Sequence, residues 1–342
     1  MSSIWIDGFD GYAQTSDLGF RYANNGASLI TNGGRWGGGA ISLSGLTPAI
    51  NAPLYDSPTE IWSGFSIKSS STGNQDVVLA SWISPNGLET SLTYNPLTLV
   101  FKLYARLNTA VVLATSSPVL LSTTVWHYID LHMKISSTVG LCEVWVDNTR
   151  VLNAVNIDTA PFGGTSLVAM GLGGSGNFFS LNCVIDDWCA RDANSGSVNI
   201  GRIGDSRVCT TVPNGDAGPN NGVPSTSGPH YAMVDEANWS ASNTVTLTNT
   251  TGQAEQYTMS ALPVTPVEIY AVQVVTFCEK TDGGAASAKQ YVDSGGTTAY
   301  GPSQSPLDPF SAMQSIFETD PHTSTNWTET SVNAVQTGYQ VQ

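Results

Sequence analysis

The stretch Val125-Trp126-His127-Tyr128-Ile129-Asp130-Leu131-His132-Met133-Lys134-Ile135 alternates with a period of two. Its odd positions are mostly apolar, and its even positions include Asp130, His132 and Lys134. Successive side chains of a strand point to opposite faces, so the pattern predicts a strand with one face in a core. The same alternation spreads outward. Leu97 to Leu103 places Leu97, Leu99, Phe101 and Leu103 on one face, while Leu141–Val146 and Val151–Val155 flank Asp147-Asn148-Thr149-Arg150 as a hairpin. Further strands are predicted at Ile61–Lys68, Val77–Ile83, Ala110–Ala114, Ser166–Leu172 and Leu181–Ala190, with short ones around Ile4–Phe9 and Ala40–Leu43. Helical periodicity is almost absent. Many short strands joined by polar loops predict an all-β chain that opens with a two-sheet jelly-roll sandwich.

A boundary is predicted near Arg191–Arg202, giving a jelly roll over 1–197 and a second, smaller β-sandwich over 198–342. In the second half, strands are predicted at Thr244–Thr248, Gln256–Met259, Val267–Lys280, Ala286–Tyr291, Met313–Glu318 and Val332–Gln340. Pro213–Pro229, dense in Gly, Pro, Asn and Ser, reads as a long contact loop or a partly disordered one.

Composition narrows the function. Nine Trp, twelve Tyr and ten Phe in 342 residues exclude disorder. The net charge of −15 divides into −6 over residues 1–200 and −9 over 201–342, with no basic cluster in either. Binding through phosphates needs such a cluster, so neither nucleic acid nor an anionic membrane surface is an expected partner. Neutral glycans and divalent cations stay open. No apolar run approaches the roughly 18 residues of a membrane-spanning helix, so no membrane insertion is expected. Met1-Ser2-Ser3-Ile4-Trp5 has neither a basic start nor an apolar run, so the expectation is synthesis in a cytoplasm without a signal peptide. Cys142, Cys183, Cys189, Cys209 and Cys278 are odd in number and lack metal-ligand spacing, which predicts free thiols.

A hydrolase on a jelly roll uses two carboxylates, and their strand form is Glu-x-Asp-x-x-Glu. No such run exists, nor does a G-x-S-x-G elbow, so no catalytic residues and no enzymatic activity are expected. His127, on the apolar face of its strand, reads as a hydrogen-bonded core histidine. Asp7, Asp10, Asp186 and Asp187 are the candidate metal ligands. First and last strands of a jelly roll are often neighbours, and converging carboxylates suit Ca²⁺. Solvated or hydrogen-bonded strand-end aspartates are the alternative, and adjacent residues on a regular strand point to opposite faces. Trp36, within Gly33-Gly34-Arg35-Trp36-Gly37-Gly38, is the candidate glycan-binding aromatic, with Arg35 beside it. Trp62, Trp82, Trp126, Trp145 and Trp188 lie in predicted strands and read as core or sheet-face residues.

Several segments together resemble a family of bacteriophage virion proteins with concanavalin-like (LamG-like) jelly rolls. Asp7-Gly8-Phe9-Asp10-Gly11-Tyr12 is similar to the family's opening, and Gly37-Gly38-Gly39-Ala40-Ile41 to its Gly-rich lead into an early strand. Trp126-His127-Tyr128-Ile129-Asp130-Leu131 with Gly140-Leu141-Cys142-Glu143-Val144-Trp145-Val146-Asp147 resembles its paired strands, and Ile185-Asp186-Asp187-Trp188 its last jelly-roll strand. Gly204-Asp205-Ser206-Arg207-Val208, His230-Tyr231-Ala232-Met233-Val234-Asp235-Glu236, Glu318-Thr319-Asp320-Pro321 and Trp327-Thr328-Glu329-Thr330 resemble the second domain. One departure is Asn148, where the family's hairpin commonly has Gly. The resemblance implies a structural protein of the virion, in a tail fibre, tail accessory or head decoration, with other virion proteins and a host-surface glycan as partners. It brings no catalytic residues. Virion appendages are built by symmetry, so a homo-oligomer is expected, a trimer assembled through residues 203–342 and their apolar stretches Val264–Phe277 and Phe310–Phe317. The rival functions are a polysaccharide-degrading enzyme and a free carbohydrate-binding module.

Overall fold

The structure is a computed structural model and describes residues 3–44, 49–105, 111–174, 182–193, 201–237, 242–307 and 310–342. Leu181 and most of the expected boundary, residues 194–200, lie outside the described residues. The chain divides into two compact units, Met1–Val208 and Cys209–Gln342. The division thus falls eleven residues beyond the expected 197, because Ile203 is buried against Trp62 and Tyr128 of the first unit.

The first unit carries β1 (Ser3–Asp7), β2 (Ala23–Asn25), β3 (Ser28–Ile30), β4 (Ala40–Leu43), β5 (Ala49–Pro53), β6 (Glu60–Ser69), β7 (Val77–Ser84) and β8 (Gly87–Asn95). It continues with β9 (Val100–Ala105), β10 (Val111–Thr115), β11 (His127–Lys134), β12 (Gly140–Val146), β13 (Thr149–Ile157), β14 (Ala169–Gly173) and β15 (Cys183–Asp192). One sheet runs β13-β12-β11-β6-β15-β4-β3, with β1 also paired to β15; the other runs β10-β9-β8-β7-β14-β5-β2. Two antiparallel sheets of this kind form a jelly-roll sandwich, the expected fold class. The alternating stretch lies where its pattern requires: Ile129, Leu131 and Met133 on β11 are buried and pair with Phe65, Ser63 and Ile61 on β6. The hairpin after β12 turns at Asp147 and Asn148, whose φ values of 46° and 68° are left-handed. Asn accepts that conformation at little cost. His127 is held as a structural histidine, its Nδ1 2.6 Å from Asp147 and its Nε2 accepting from Ser122 N at 2.9 Å.

Four strands of this unit escaped the sequence reading, β2, β3, β5 and β8, and one was misplaced. Leu97 and Leu99 precede β9 rather than share its face, because the Asn95 side chain accepts from Leu97 N and Thr98 N and folds them into a turn. Leu97 is exposed as a result.

The second unit has β16 (Pro213–Asn220), β17 (Val223–Pro224), β18 (Val245–Thr246), β19 (Ala254–Met259), β20 (Val272–Cys278), β21 (Ala288–Ser294), β22 (Thr297–Tyr300), β23 (Ser311–Phe317) and β24 (Gln336–Val341). A five-stranded sheet, β16-β19-β24-β21-β22, is accompanied by the pairs β20-β23 and β17-β18. Two expectations are corrected here. Pro213–Pro229 is not a loop throughout, since its first half is β16. The fully buried Glu255 carboxylate anchors the chain beyond β16, accepting from Gly222 N at 2.6 Å and lying 2.9 Å from His230 Nδ1. Val332–Gln340 is not one strand: Thr328 caps a short helix, α1 (Glu329–Ala334), before β24 begins. A helix this short shows no periodicity to read. Of the stretches expected to drive assembly, Ile269, Val272, Val274 and Phe317 pack into this unit's own core with Val292 and Trp327.

All five cysteines are free, and burial pushes the Cys189 thiol up to about 12 and that of Cys278 to about 11.

The β20-β23 pair is joined to β21 by the fully buried Gln290, whose Nε2 reaches Val274 O at 3.1 Å, Thr276 Oγ1 at 3.0 Å and Met313 O at 2.8 Å. Gln290→Ala leaves those acceptors dry and opens a cavity, so it is expected to destabilise the protein by about 2–4 kcal/mol. Urea denaturation checks this.

Candidate functional site

The aspartate pair on β15 is the first place where the structure departs from simple alternation. The register of β15 against β6 slips between Asp186 and Cys189, and Asp187 has a left-handed φ of 55°. This is a β-bulge, which re-aims side chains by inserting one residue. Asp186 and Asp187 therefore reach the same side, not opposite ones. Asp186 Oδ2 accepts from Arg35 N at 2.7 Å, and Asp187 Oδ2 accepts from Trp36 Nε1 at 3.1 Å and Ser66 Oγ at 3.0 Å. Val208 N donates to the other Asp187 oxygen at 2.8 Å. Burial, together with the charge of Asp187, raises the Asp186 pKa; burial raises that of Asp187. Asp10 joins the same corner by accepting from Gly39 N at 2.7 Å.

Asp7 does not. Its carboxylate accepts from Tyr12 OH and Tyr22 OH at 2.6 Å each, from Phe9 N at 2.7 Å and from Arg21 Nη1 at 2.8 Å. These donors use up its lone pairs. Among the described residues, no three His, Cys, Asp or Glu side chains are grouped to hold a metal ion. The expected convergence of Asp7, Asp10, Asp186 and Asp187 on Ca²⁺ is corrected: donors from the protein already occupy these carboxylates. The two glycan candidates also separate. Arg35 is bound to Asp205, Nη2 to Oδ2 at 2.9 Å, and to Ser66 Oγ at 3.1 Å. Trp36 is 50% exposed.

The outward face of this sheet combines charged side chains with the aromatic rings of Trp62, Tyr128 and Trp145. His132 on β11 lies between Glu60 on β6 and Glu143 on β12, at 2.8 and 3.0 Å, and stacks on Trp62 with ring centroids 4.1 Å apart. Lys134 and Arg150 close this ladder of ion pairs at its two ends. Residues 203–208 cover part of the same face. Gly204 N donates to the buried Asp130 at 3.1 Å, and Arg202 lies 3.5 Å from its other oxygen. Burial pushes the Asp130 carboxyl up to about 6, against the pull of Arg202 and of the Gly204 N–H.

The second sheet presents a different surface. Leu172 pairs with Ile50 and Ala80, Ala80 with Leu92, and Leu92 with Leu103, all buried, so this row faces the core. One residue along each strand, the pleat turns the other way. There Asn51, Gly171, Ser81, Ser91 and Tyr104 stand in register across β5, β14, β7, β8 and β9. The row holds no aliphatic side chain. Ser91 is fully buried, and its Oγ has no hydrogen-bond partner. Asn51 Oδ1 and Ser81 Oγ lean over Gly171, 2.3 and 2.7 Å from where a Cβ would stand. At the Tyr104 end, Asp76 accepts from Tyr104 OH, from Lys102 Nζ at 2.9 Å and from Asn95 Nδ2 at 2.8 Å. Burial alone would raise the Asp76 pKa, but these donors hold it below its ordinary value. No candidate from the sequence lies in this row. The signal was present in β8, where Leu88, Thr90, Leu92 and Tyr94 alternate with Glu89, Ser91, Thr93 and Asn95. Half of its core-side and all of its outer-side residues are not aliphatic, so it reads as a polar connection.

No protein-family model and no curated protein matches the sequence. The fold is matched by solved structures. An alginate lyase is 13% identical, with a TM-score of 0.41 over 55% of this chain and 96% of its own. A Bacillus subtilis protein with a galectin-like fold is 10% identical, with a TM-score of 0.41 over 56% of this chain and 96% of its own. A Trypanosoma rangeli sialidase is 10% identical, with a TM-score of 0.35 over 48% of this chain and 27% of its own. The expectation of a chain without enzymatic activity is corrected by these matches, two of which are enzymes by name. That expectation came from searching single strands for a carboxylate run. Glu60, His132 and Glu143 show that acid–base groups meet here across three strands, where such a search is blind.

Two outcomes are expected at these carboxylates. Asp7→Asn strips the buried Arg21 of its counter-charge and is expected to cost about 3–5 kcal/mol in urea unfolding. Asp130 binds its proton more tightly folded than unfolded, so its contribution to stability is complete below its unfolded pKa near 3.8 and lost as pH rises through about 6. Across that window Asp130→Asn is expected to gain on the parent by about 3 kcal/mol. Melting curves of both proteins between pH 3.5 and 7 check the difference.

Proposed function

We propose that the first unit engages polysaccharide across the outer face of its second sheet. The observation that carries this reading is the row Asn51, Gly171, Ser81, Ser91 and Tyr104, with the buried Ser91 hydroxyl unpaired. A buried polar group without a partner costs free energy, and a sheet face that only had to be covered is cheaper to line with Val or Leu. A polysaccharide reaches the row at the half-buried Asn51 and offers hydroxyls that both donate and accept. Tyr104 adds a broad apolar ring with a polar tip. The Asp76–Lys102–Asn95 cluster keeps that ring in place.

For the whole chain, the resemblance to phage virion proteins supports a place on the surface of a particle, where a grip on host glycan is useful. Mass spectrometry of purified particles tests that placement.

Ser91→Ala separates binding from folding. Removal of an unpaired buried hydroxyl is expected to leave stability unchanged or raise it by about 1 kcal/mol, while affinity for glycan falls about tenfold. Asn51→Ala is expected to weaken binding likewise. A glycan array followed by calorimetry on the best ligand reads both, and assay of new reducing or unsaturated ends shows whether bound glycan is also cleaved. Parent-like affinity in both variants sinks the reading.

A further inference from the structure

The Gly33–Gly39 loop holds Trp36 outward on a rigid base. Gly34 N donates to Gly38 O at 3.1 Å, and Gly37 N to Gly34 O at 3.2 Å. From below, Asp186 takes Arg35 N, Asp10 takes Gly39 N, and Asp187 takes the indole N–H. The glycines let these carboxylates approach: a Cβ on Gly34 would stand 2.8 Å from Asp186 Oδ2, and one on Gly38 would stand 2.1 Å from Asp10 Oδ1. Fixed at both ends and at its ring, the loop has little conformational entropy left to lose when something binds. A rigid, half-exposed indole is an apolar surface of the size of a sugar ring.

Beside it stands an arginine that no described residue neutralises. The Arg207 guanidinium carbon lies 5.1 Å from the Trp36 ring centroid. Arg207 forms no ion pair among the described residues, and its Nε is buried without a hydrogen-bond partner. Its neighbours differ. Arg35, 4.7 Å from the same ring, is held by Asp205, and Arg202 lies against Asp130. The chain has 27 acidic residues for 12 basic ones, so carboxylates are abundant. None of the described ones is paired with Arg207.

We propose that Trp36 and Arg207 form a binding site for a carboxylate-bearing sugar, a uronic acid unit of an acidic polysaccharide. The indole takes the apolar face of the sugar ring, and the guanidinium takes its carboxylate. A guanidinium fork matches the two oxygens of a carboxylate in paired, charge-assisted hydrogen bonds. Arg35 is excluded from recognition by its pair with Asp205 and serves to hold the loop. The site belongs to the other sheet from the Ser91 row and does not depend on glycan binding there.

The test is isothermal titration of the full chain with trigalacturonate, and with maltotriose as the neutral control, at low ionic strength. Trigalacturonate is expected to bind and maltotriose not. Arg207→Gln and Trp36→Ala are each expected to weaken binding at least tenfold, and Arg207→Lys to give an intermediate loss because it keeps the charge without the fork. Ser91→Ala is expected to bind trigalacturonate as the parent does. Melting temperatures confirm that each variant is folded; should Arg207→Gln fail to fold, Arg207→Lys carries the comparison. Absence of binding by the parent overturns the proposal, as does parent-like affinity in a folded Arg207 variant. Equal affinity for a sulfated neutral trisaccharide overturns the assignment to a carboxylate.

Discussion

The bulge in β15 is the irregularity on which the first unit's outer architecture depends. β15 is a central strand, paired on its two sides with β6 and with β4 and β1. A regular strand there would send one of Asp186 and Asp187 into the apolar core, where an unpaired carboxylate is costly. The extra residue, at a left-handed φ, brings both out on one side. Their oxygens then organise three separate pieces of chain: the glycine-rich loop through Arg35 N and Trp36, β6 through Ser66, and the end of the unit through Val208 N. Both carboxylates titrate high because burial disfavours their charge. The backbone donors compensate for part of that burial, which is why the pair suits a structural knot better than a cation site.

Two outer faces result, and they are treated differently. On the first sheet, charges are matched with charges: Glu60 with Lys134, Glu143 with Arg150, Asp130 with Arg202, and Asp205 with Arg35. Arg207 is an exception to that arrangement among the described residues. On the second sheet the row through Ser91 carries hydroxyls and an amide in place of charge, and leaves part of it unpaired. Matched groups give stability and specificity of fold; unmatched groups cost stability.

Much of the fold was legible. The alternation in β11, β6 and β12 follows from a sheet with one face in a core, and local pairing carried it. The hairpin at Asp147-Asn148 was legible because Asn takes a left-handed conformation readily. Where local chemistry competes with alternation, the reading failed. Asn95 captures the backbone N–H groups of Leu97 and Thr98 and bends an apparently regular apolar stretch out of β9. Pro213–Asn220 looks like a loop by composition, yet it pairs with β19, and the chain just beyond it is tied to the buried Glu255.

The sequence by itself determined that the chain is all-β, that its acidic residues outnumber its basic ones by 27 to 12, and that Trp36 lies on a glycine-rich stretch. These depend on composition and on residues close in the chain. Tertiary structure alone decided that Asp7 is spent on Arg21 while Asp186 and Asp187 face together, that Ser91 shares a cross-strand row with Asn51 three strands away, and that Arg207, without an ion pair among the described residues, stands beside Trp36. These turn on which of several neighbours a side chain meets, on register, on a single inserted residue, or on contact between positions about 170 residues apart. A one-residue slip reverses every side chain of a strand, and no local pattern encodes where the slip falls.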